Sequence, residues 1–138
     1  MHFRQFSAPQ TVQYITKVTQ SKVYDGTSFY RSDFVIQMGT HGTSKANPHG
    51  PLTINETHDH AKVSNTRGTM AVAHFDVPDC GGSEIFINLN DNVHLDGAYG
   101  GFCVFARVKN EASFRVVDAI AAAVKQKGSV GIRQAVIQ

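Results

Sequence analysis

The chain has little cysteine, no concentrated charge and no long apolar run, and each absence removes a class of function. Its 138 residues include only Cys80 and Cys103, far apart and in neither a metal-binding nor a redox spacing. That usage suits a reducing compartment, and the cytoplasm is the expected location. No apolar segment approaches the roughly 20 residues that a membrane-crossing helix needs. The opening Met1-His2-Phe3-Arg4-Gln5 has no long apolar stretch, so neither secretion nor a membrane is expected. Thirteen Lys and Arg stand against eleven Asp and Glu, a net charge of +2, and the basic residues are scattered. With no basic run to follow phosphates, nucleic acid is not an expected partner.

The common catalytic motifs are missing too. There is no Gly-x-Ser-x-Gly elbow; Ser83 is followed by Glu84 and Ile85. Neither cysteine sits among cations that would activate a thiol. Gly39-Thr40-His41-Gly42 lacks the rest of a phosphate loop. Among seven histidines, His58-Asp59-His60, with His41 and His49 nearby, comes nearest to a metal cluster. It lacks the tight helical spacing of hydrolase zinc sites, so solvated loop histidines are the expectation. Neither a metal nor a cofactor is expected.

What is present describes one globular domain over residues 1–138, with 41% hydrophobic and 17% charged residues. Ser7-Ala8-Pro9-Gln10 reads as a helix start, Ser7 capping and Gln10 completing a capping box, and Val12, Ile15 and Val18 give an apolar face up to about Gln20. Tyr24 to Thr27 is a turn. Strands are expected at Phe34–Met38, Leu52–Asn55, Thr69–His74, Glu84–Leu89, Phe102–Val108 and Ile132–Ile137. A second helix carries Phe114, Val117, Ile120, Ala121 and Val124 on one stripe, with Ser113 as its cap and Lys125, Lys127 and Gly128 at its end. The pattern is mainly β: a barrel or sandwich plugged by two helices.

Arg31 stands out within Phe29-Tyr30-Arg31-Ser32-Asp33-Phe34-Val35-Ile36-Gln37. A permanent cation among aromatic residues is either a rim arginine whose stem covers apolar surface or a fixed donor beside an apolar pocket. Local pattern leaves both open. Strand parity puts Phe34 with Ile36 and Met38 and leaves Val35 and Gln37 on the opposite face. Phe34 joins the latter face only if the backbone turns at Ser32-Asp33.

The blocks Phe29–Arg31, Phe34–Gln37, Asn65–Ala73, Ser83–Asn88, Asp91–Asp96 and Gly101–Val108, taken in order, resemble the cyclophilin family of peptidyl-prolyl isomerases. The resemblance runs from Phe6 to Val124 and implies an antiparallel β-barrel closed by two α-helices. Only His2 to Phe6 precede the first helix, so the first barrel strand is expected to be missing or reduced to a short strand at Phe3–Phe6, and an exposed seam would favour self-association or marginal stability. The resemblance implies Arg31 as the catalytic arginine and Gln37 as the residue that steadies it. It implies substrate contacts at Phe34, Val35, Ala73, His74, Glu84, Phe86, His94, Leu95 and Phe102.

Glu84 stands where the family has glutamine, His94 where it has tryptophan or phenylalanine, and Phe102 where it has histidine or tyrosine. The link from Arg31 to Phe34 is shorter than the family's. Glu84 is expected either to contact substrate or to pair with Arg31, and His94 to weaken binding of cyclosporin-like macrocycles. The implied activity is cis–trans isomerisation of X-Pro bonds in proline-containing peptides and proteins. The alternative is a scaffold that binds such partners without useful turnover.

Overall fold

The computed structural model describes residues 2–3, 8–57, 63–77 and 79–138. Ser7 and the His58-Asp59-His60 segment lie outside the described residues. Among the described residues seven antiparallel strands run in chain order: β1 (His2–Phe3), β2 (Ser28–Ser32), β3 (Val35–Gly39), β4 (Thr69–Val72), β5 (Ile85–Asn88), β6 (Val104–Arg107) and β7 (Val130–Gly131). Two helices join them, α1 (Pro9–Gln20) and α2 (Glu111–Lys127). The strands form one sheet in the order β1-β6-β4-β5-β3-β2-β7. The mainly-β fold with two helices stands, but β1 and β7 are the sheet's two ends, and among the described residues no ladder joins them. A first strand is present as a two-residue segment paired to β6, His2 opposite Arg107.

Strand pleating sorts the apolar residues into two layers. Ile36 and Met38 of β3, Met70 and Val72 of β4, and Ile85 and Ile87 of β5 enter the main core. There they meet Val12, Ile15 and Val18 of α1 and Val117 and Ala121 of α2. The alternate residues Val35, Ala71, Phe86 and Val104 lie on the other face in a second cluster with Leu95. A sheet buried on both faces supports an apolar pocket on the side away from the helices.

Several boundaries differ from the sequence reading, each for a local reason. The start of α1 has no side-chain cap from its own residues; the buried Glu56 carboxyl accepts from Gln10 N at 3.2 Å and Thr11 N at 2.6 Å. Asn110, not Ser113, caps α2, its Oδ1 accepting from Ser113 N at 3.0 Å. Leu52–Asn55 makes a single bridge, Leu52 with Gly81, rather than a strand. The last ladder pairs Val130 and Gly131 with Phe29 and Ser28, and Ile132–Ile137 follows outside it. The hairpin of β2 and β3 supplies a strand that the sequence reading left out. Its β2 residues are all half-buried and show no alternation.

Candidate active site

The β2–β3 hairpin is irregular at the position that matters. Phe29 pairs with Met38, but Arg31 pairs with Gln37, so Tyr30 and Arg31 together oppose one residue of β3. Such a bulge bends a strand and re-aims its side chains. Here both Tyr30 and Arg31 reach the Gln37 side chain. Arg31 Nη1 donates to Gln37 Oε1 at 3.0 Å, and Gln37 Nε2 donates to the Tyr30 hydroxyl at 2.9 Å.

The short connection between the strands fixes the arginine from its other side. Asp33 N donates to Val35 O at 3.0 Å, and Val35 N donates to Asp33 Oδ1 at 3.2 Å. The free carboxylate oxygen of this tight turn takes Arg31 Nε at 2.8 Å. The turn ends the β pleat before Phe34, which lies outside β3 and joins Val35 on the pocket face. The Arg31 guanidinium carbon stands 5.2 Å from the centre of the Phe34 ring. Among the described residues, Nη2 has no hydrogen-bond partner, which leaves donors available at the cavity edge.

Arg31, Phe34, Val35, Gln37, Ala73, His74, Phe86, Leu95 and Phe102 line one cavity of about 690 Å³. The sequence reading named all of them. It did not name Phe75, Asp76 and Tyr99, which also line it. Phe75 and Tyr99 are 83% and 62% exposed, and Tyr99 has a left-handed backbone at φ 51° inside a Gly-rich turn. The only sequence signal for them is aromatic rings in polar, turn-rich loops.

Phe86 and Phe102 meet edge to face at 5.7 Å, and His74 stacks flat on Phe102 at 4.1 Å. Both His74 ring nitrogens face the chain's own carbonyls, Nδ1 2.7 Å from Phe75 O and Nε2 2.6 Å from Gly101 O, and which of them donates depends on the tautomer. His74 therefore contributes a ring face to the wall.

Glu84 and His94 do not line the cavity. His94 is exposed and touches the Phe34 ring edge-on at 5.4 Å. The Glu84 carboxylate makes no ion pair with Arg31 and lies under the β3 end. There it accepts from the Tyr30 hydroxyl at 2.9 Å and from Thr40 N and His41 N at 3.0 and 3.1 Å. Burial, and then the Glu84 bond, hold the Tyr30 phenol above its ordinary range.

A buried polar cluster holds the opposite wall. Asn88 Nδ2 donates to Asn65 Oδ1 at 3.0 Å, and Asn92 Nδ2 donates to Asn88 Oδ1 and to Phe34 O, each at 2.9 Å. Asn65 Nδ2 donates to Asp96 Oδ1 at 2.9 Å and to Phe102 O at 3.0 Å. Satisfied buried networks of this kind rigidify their surroundings. This one ties together the segments that carry Phe34, Leu95 and Phe102. Among the described residues no group of three or more His, Cys, Asp or Glu is placed to hold a metal ion.

An apolar cavity with an anchored guanidinium at its edge is the arrangement that the sequence resemblance implied. A family model described as cyclophilin type peptidyl-prolyl cis-trans isomerase/CLD matches residues 1–138. The chain belongs to the cyclophilin family. It is 32% identical over 116 residues to a peptidyl-prolyl cis-trans isomerase of Helicobacter pylori, covering 82% of this chain and 68% of that protein. To one of Acinetobacter baylyi it is 32% identical over 118 residues, covering 83% and 61%. This cyclophilin thus spans about two thirds of the length of these relatives. Its fold matches a Cryptosporidium parvum cyclophilin type peptidyl-prolyl cis-trans isomerase, solved in the presence of the dipeptide Ala-Pro, with a TM-score of 0.77. The match is 18% identical and covers 99% of this chain and 89% of that one. No helix of the described residues is long and apolar enough to cross a membrane.

Proposed function

We propose that this cyclophilin catalyses cis–trans isomerisation of X-Pro bonds in peptides and proteins, with the proline ring in the apolar cavity and Arg31 as the catalytic donor. The observation that carries the reading is the position of Arg31. It is held at Nε and Nη1, lies beside Phe34, and has donors left over at the cavity edge.

The barrier to peptide rotation is about 18–20 kcal/mol, from the resonance that gives the bond its double-bond character. The two X-Pro isomers differ by only about 0.5–1 kcal/mol, so catalysis needs neither a nucleophile nor a proton relay. It needs contacts that are stronger in the twisted state than in the planar one. As the bond twists, the proline nitrogen loses conjugation, becomes pyramidal and gains a lone pair that can accept a hydrogen bond. A guanidinium is permanently charged and presents a rigid fork of donors to that nitrogen and to the neighbouring carbonyl. Phe86, Leu95, Val35 and Phe102 supply the apolar socket, and Gln37 steadies the guanidinium.

One observation favours a second reading, a partner-binding domain with little turnover: the Asp33 carboxylate lies 2.8 Å from Arg31 Nε and offsets part of its charge. The two readings separate in one experiment. NMR exchange on an X-Pro peptide should show catalysed isomerisation by the native chain. Arg31→Ala should lower it about 10²–10³-fold, the usual effect of removing a charge-stabilising donor. Undiminished exchange in Arg31→Ala removes Arg31 from the mechanism. Peptide binding without exchange in the native chain selects the scaffold. Both cysteines are free thiols, and on this ground we place the activity in a reducing compartment, the cytoplasm.

A further inference from the structure

We propose that Tyr30 and Glu84 are positioning residues: a one-way chain of hydrogen bonds, donated from Arg31 through Gln37 and Tyr30 to the Glu84 carboxylate, fixes the guanidinium at the cavity edge. This deepens the isomerase reading and rests on it.

The direction of the chain follows from what each group can do. A guanidinium only donates, so Gln37 must present Oε1 to Arg31 Nη1, at 3.0 Å. The amide's other end then presents N–H to the Tyr30 oxygen, at 2.9 Å. With that lone pair occupied, the single Tyr30 proton points to Glu84 Oε1, at 2.9 Å. A carboxylate only accepts, so the chain ends there. Burial keeps Tyr30 protonated well above neutral pH, so the link persists across the working range.

The far end is itself anchored. Glu84 also accepts from Thr40 N at 3.0 Å, His41 N at 3.1 Å and Ser83 Oγ at 3.0 Å. These donors come from the backbone just past β3 and from the residue before Glu84, so the carboxylate is tied to the same hairpin it supports. Gly39 leaves the space: a Cβ there would collide with the Glu84 carboxylate. A glutamine at position 84 would turn an amide nitrogen either towards Thr40 N or towards Tyr30 and His41 N, so the anchor would lose an acceptor in either orientation.

The other restraint on Arg31 is weaker in kind. Its pair with Asp33 has side chains 41% and 47% exposed, and exposed pairs contribute little and are screened by salt. The internal chain is therefore what sets where the remaining donors point. The β2 bulge makes it possible, because regular pleating would put Tyr30 and Arg31 on opposite faces.

The test combines turnover with a direct view of the guanidinium. Native chain, Tyr30→Phe, Glu84→Gln and the double variant are compared for kcat and KM on an X-Pro peptide and for the Arg31 Nη signals by NMR. Each single change should lower kcat roughly three- to tenfold, a modest misplacement by the scale of positioning effects, with KM within about twofold. The double variant should be no slower than the worse single one, because both changes cut one chain. Distinct Nη signals in the native chain should merge in Tyr30→Phe as the guanidinium gains rotation.

Native kcat in Tyr30→Phe overturns the proposal, and so do unchanged Nη signals or multiplying single effects. Tyr30→Phe keeps the ring and so carries the test if Glu84→Gln fails to fold. If the native chain does not isomerise the peptide at all, the isomerase reading fails by itself. The chain of bonds is then judged on the Nη signals alone.

Discussion

Cys103 is 8% exposed, and burial pushes its thiol up to about 11, with the Thr11 hydroxyl nearby opposing the shift. An unfolded thiol titrates near about 8.5, so between that pH and about 11 the folded chain holds a proton that the unfolded chain has lost. More protons on the folded side means that stability falls as pH rises through this window, by about 1.4 kcal/mol per unit of separation. Tyr24 and Tyr30, both raised mainly by burial, extend the fall above pH 10. Urea midpoints should therefore drop steadily from about pH 8.5 upward, and Cys103→Ala should flatten the first part of that drop. A midpoint flat to pH 10 in the native chain would refute the assignment. Single residues were also where the sequence was most legible. The family blocks single out Arg31 and Gln37, and the structure joins them by a hydrogen bond. The contact of Tyr30 with Gln37 depends on one bulge, and no local pattern of polarity announces that. Glu84 was noticed as a departure, but its destination depends on the space at Gly39 and on the amides of Thr40 and His41.

At the scale of elements, the start of α1 draws on a partner that no local pattern names. Ser7 and Gln10 match a capping box, yet the amides of Gln10 and Thr11 and the Thr11 hydroxyl go to Glu56, 2% exposed and 45 residues beyond Thr11 in sequence. A carboxyl at a helix N-terminus also meets the positive end of the helix dipole. Glu56→Gln would leave an amide nitrogen facing at least one N–H donor in a buried place. The expected loss is about 1–3 kcal/mol, the cost of an unsatisfied buried polar group. Asn110→Ala, at the exposed N-cap of α2, should cost about 1 kcal/mol. Urea unfolding monitored by circular dichroism would show the lower midpoint with unchanged slope. If Glu56→Gln costs no more than Asn110→Ala, Glu56 does not cap α1 in the way its contacts indicate. The two helices and strands β3 to β6 can be read from periodicity, since each apolar face is written within its own segment, but β2, half-buried throughout, cannot. Caps and strand ends could not, because their partners lie elsewhere in the chain.

At the scale of the molecule, the order of the blocks makes the fold class legible, whereas the absence of a ladder between the sheet's two ends, among the described residues, is written in no local pattern. The two ends of the sheet, β1 and β7, are two-residue strands. A very short edge strand such as β7 offers little template for pairing with another chain, which weakens the argument for self-association at that end of the sheet. The consequence should instead appear as uneven local stability. Strands β4, β5 and β3 form the middle of the sheet, each paired on both sides, while β7 holds β2 through only two residue pairs. Sub-global openings begin where few buried contacts cross. Native-state amide exchange should therefore be slowest for Ile36, Ala71, Ile85 and Ile87, approaching the rate of global unfolding. Exchange should be fastest around Val130 and Gly131. The same gradient bears on the candidate site. Its apolar floor rests on the stable strands, but Arg31 lies on β2, one strand from the end. Ser32 Oγ, donating to Ala121 O of α2 at 2.9 Å, and the bonds through Gln37 to Tyr30 then act as braces for a strand that the ladder supports weakly on one side. Tyr30→Phe should accordingly speed exchange in β2 while leaving β4 and β5 unchanged. Uniform protection across all strands, in the native chain and in the variant, would mean that the sheet opens as a unit and that β2 needs no such bracing.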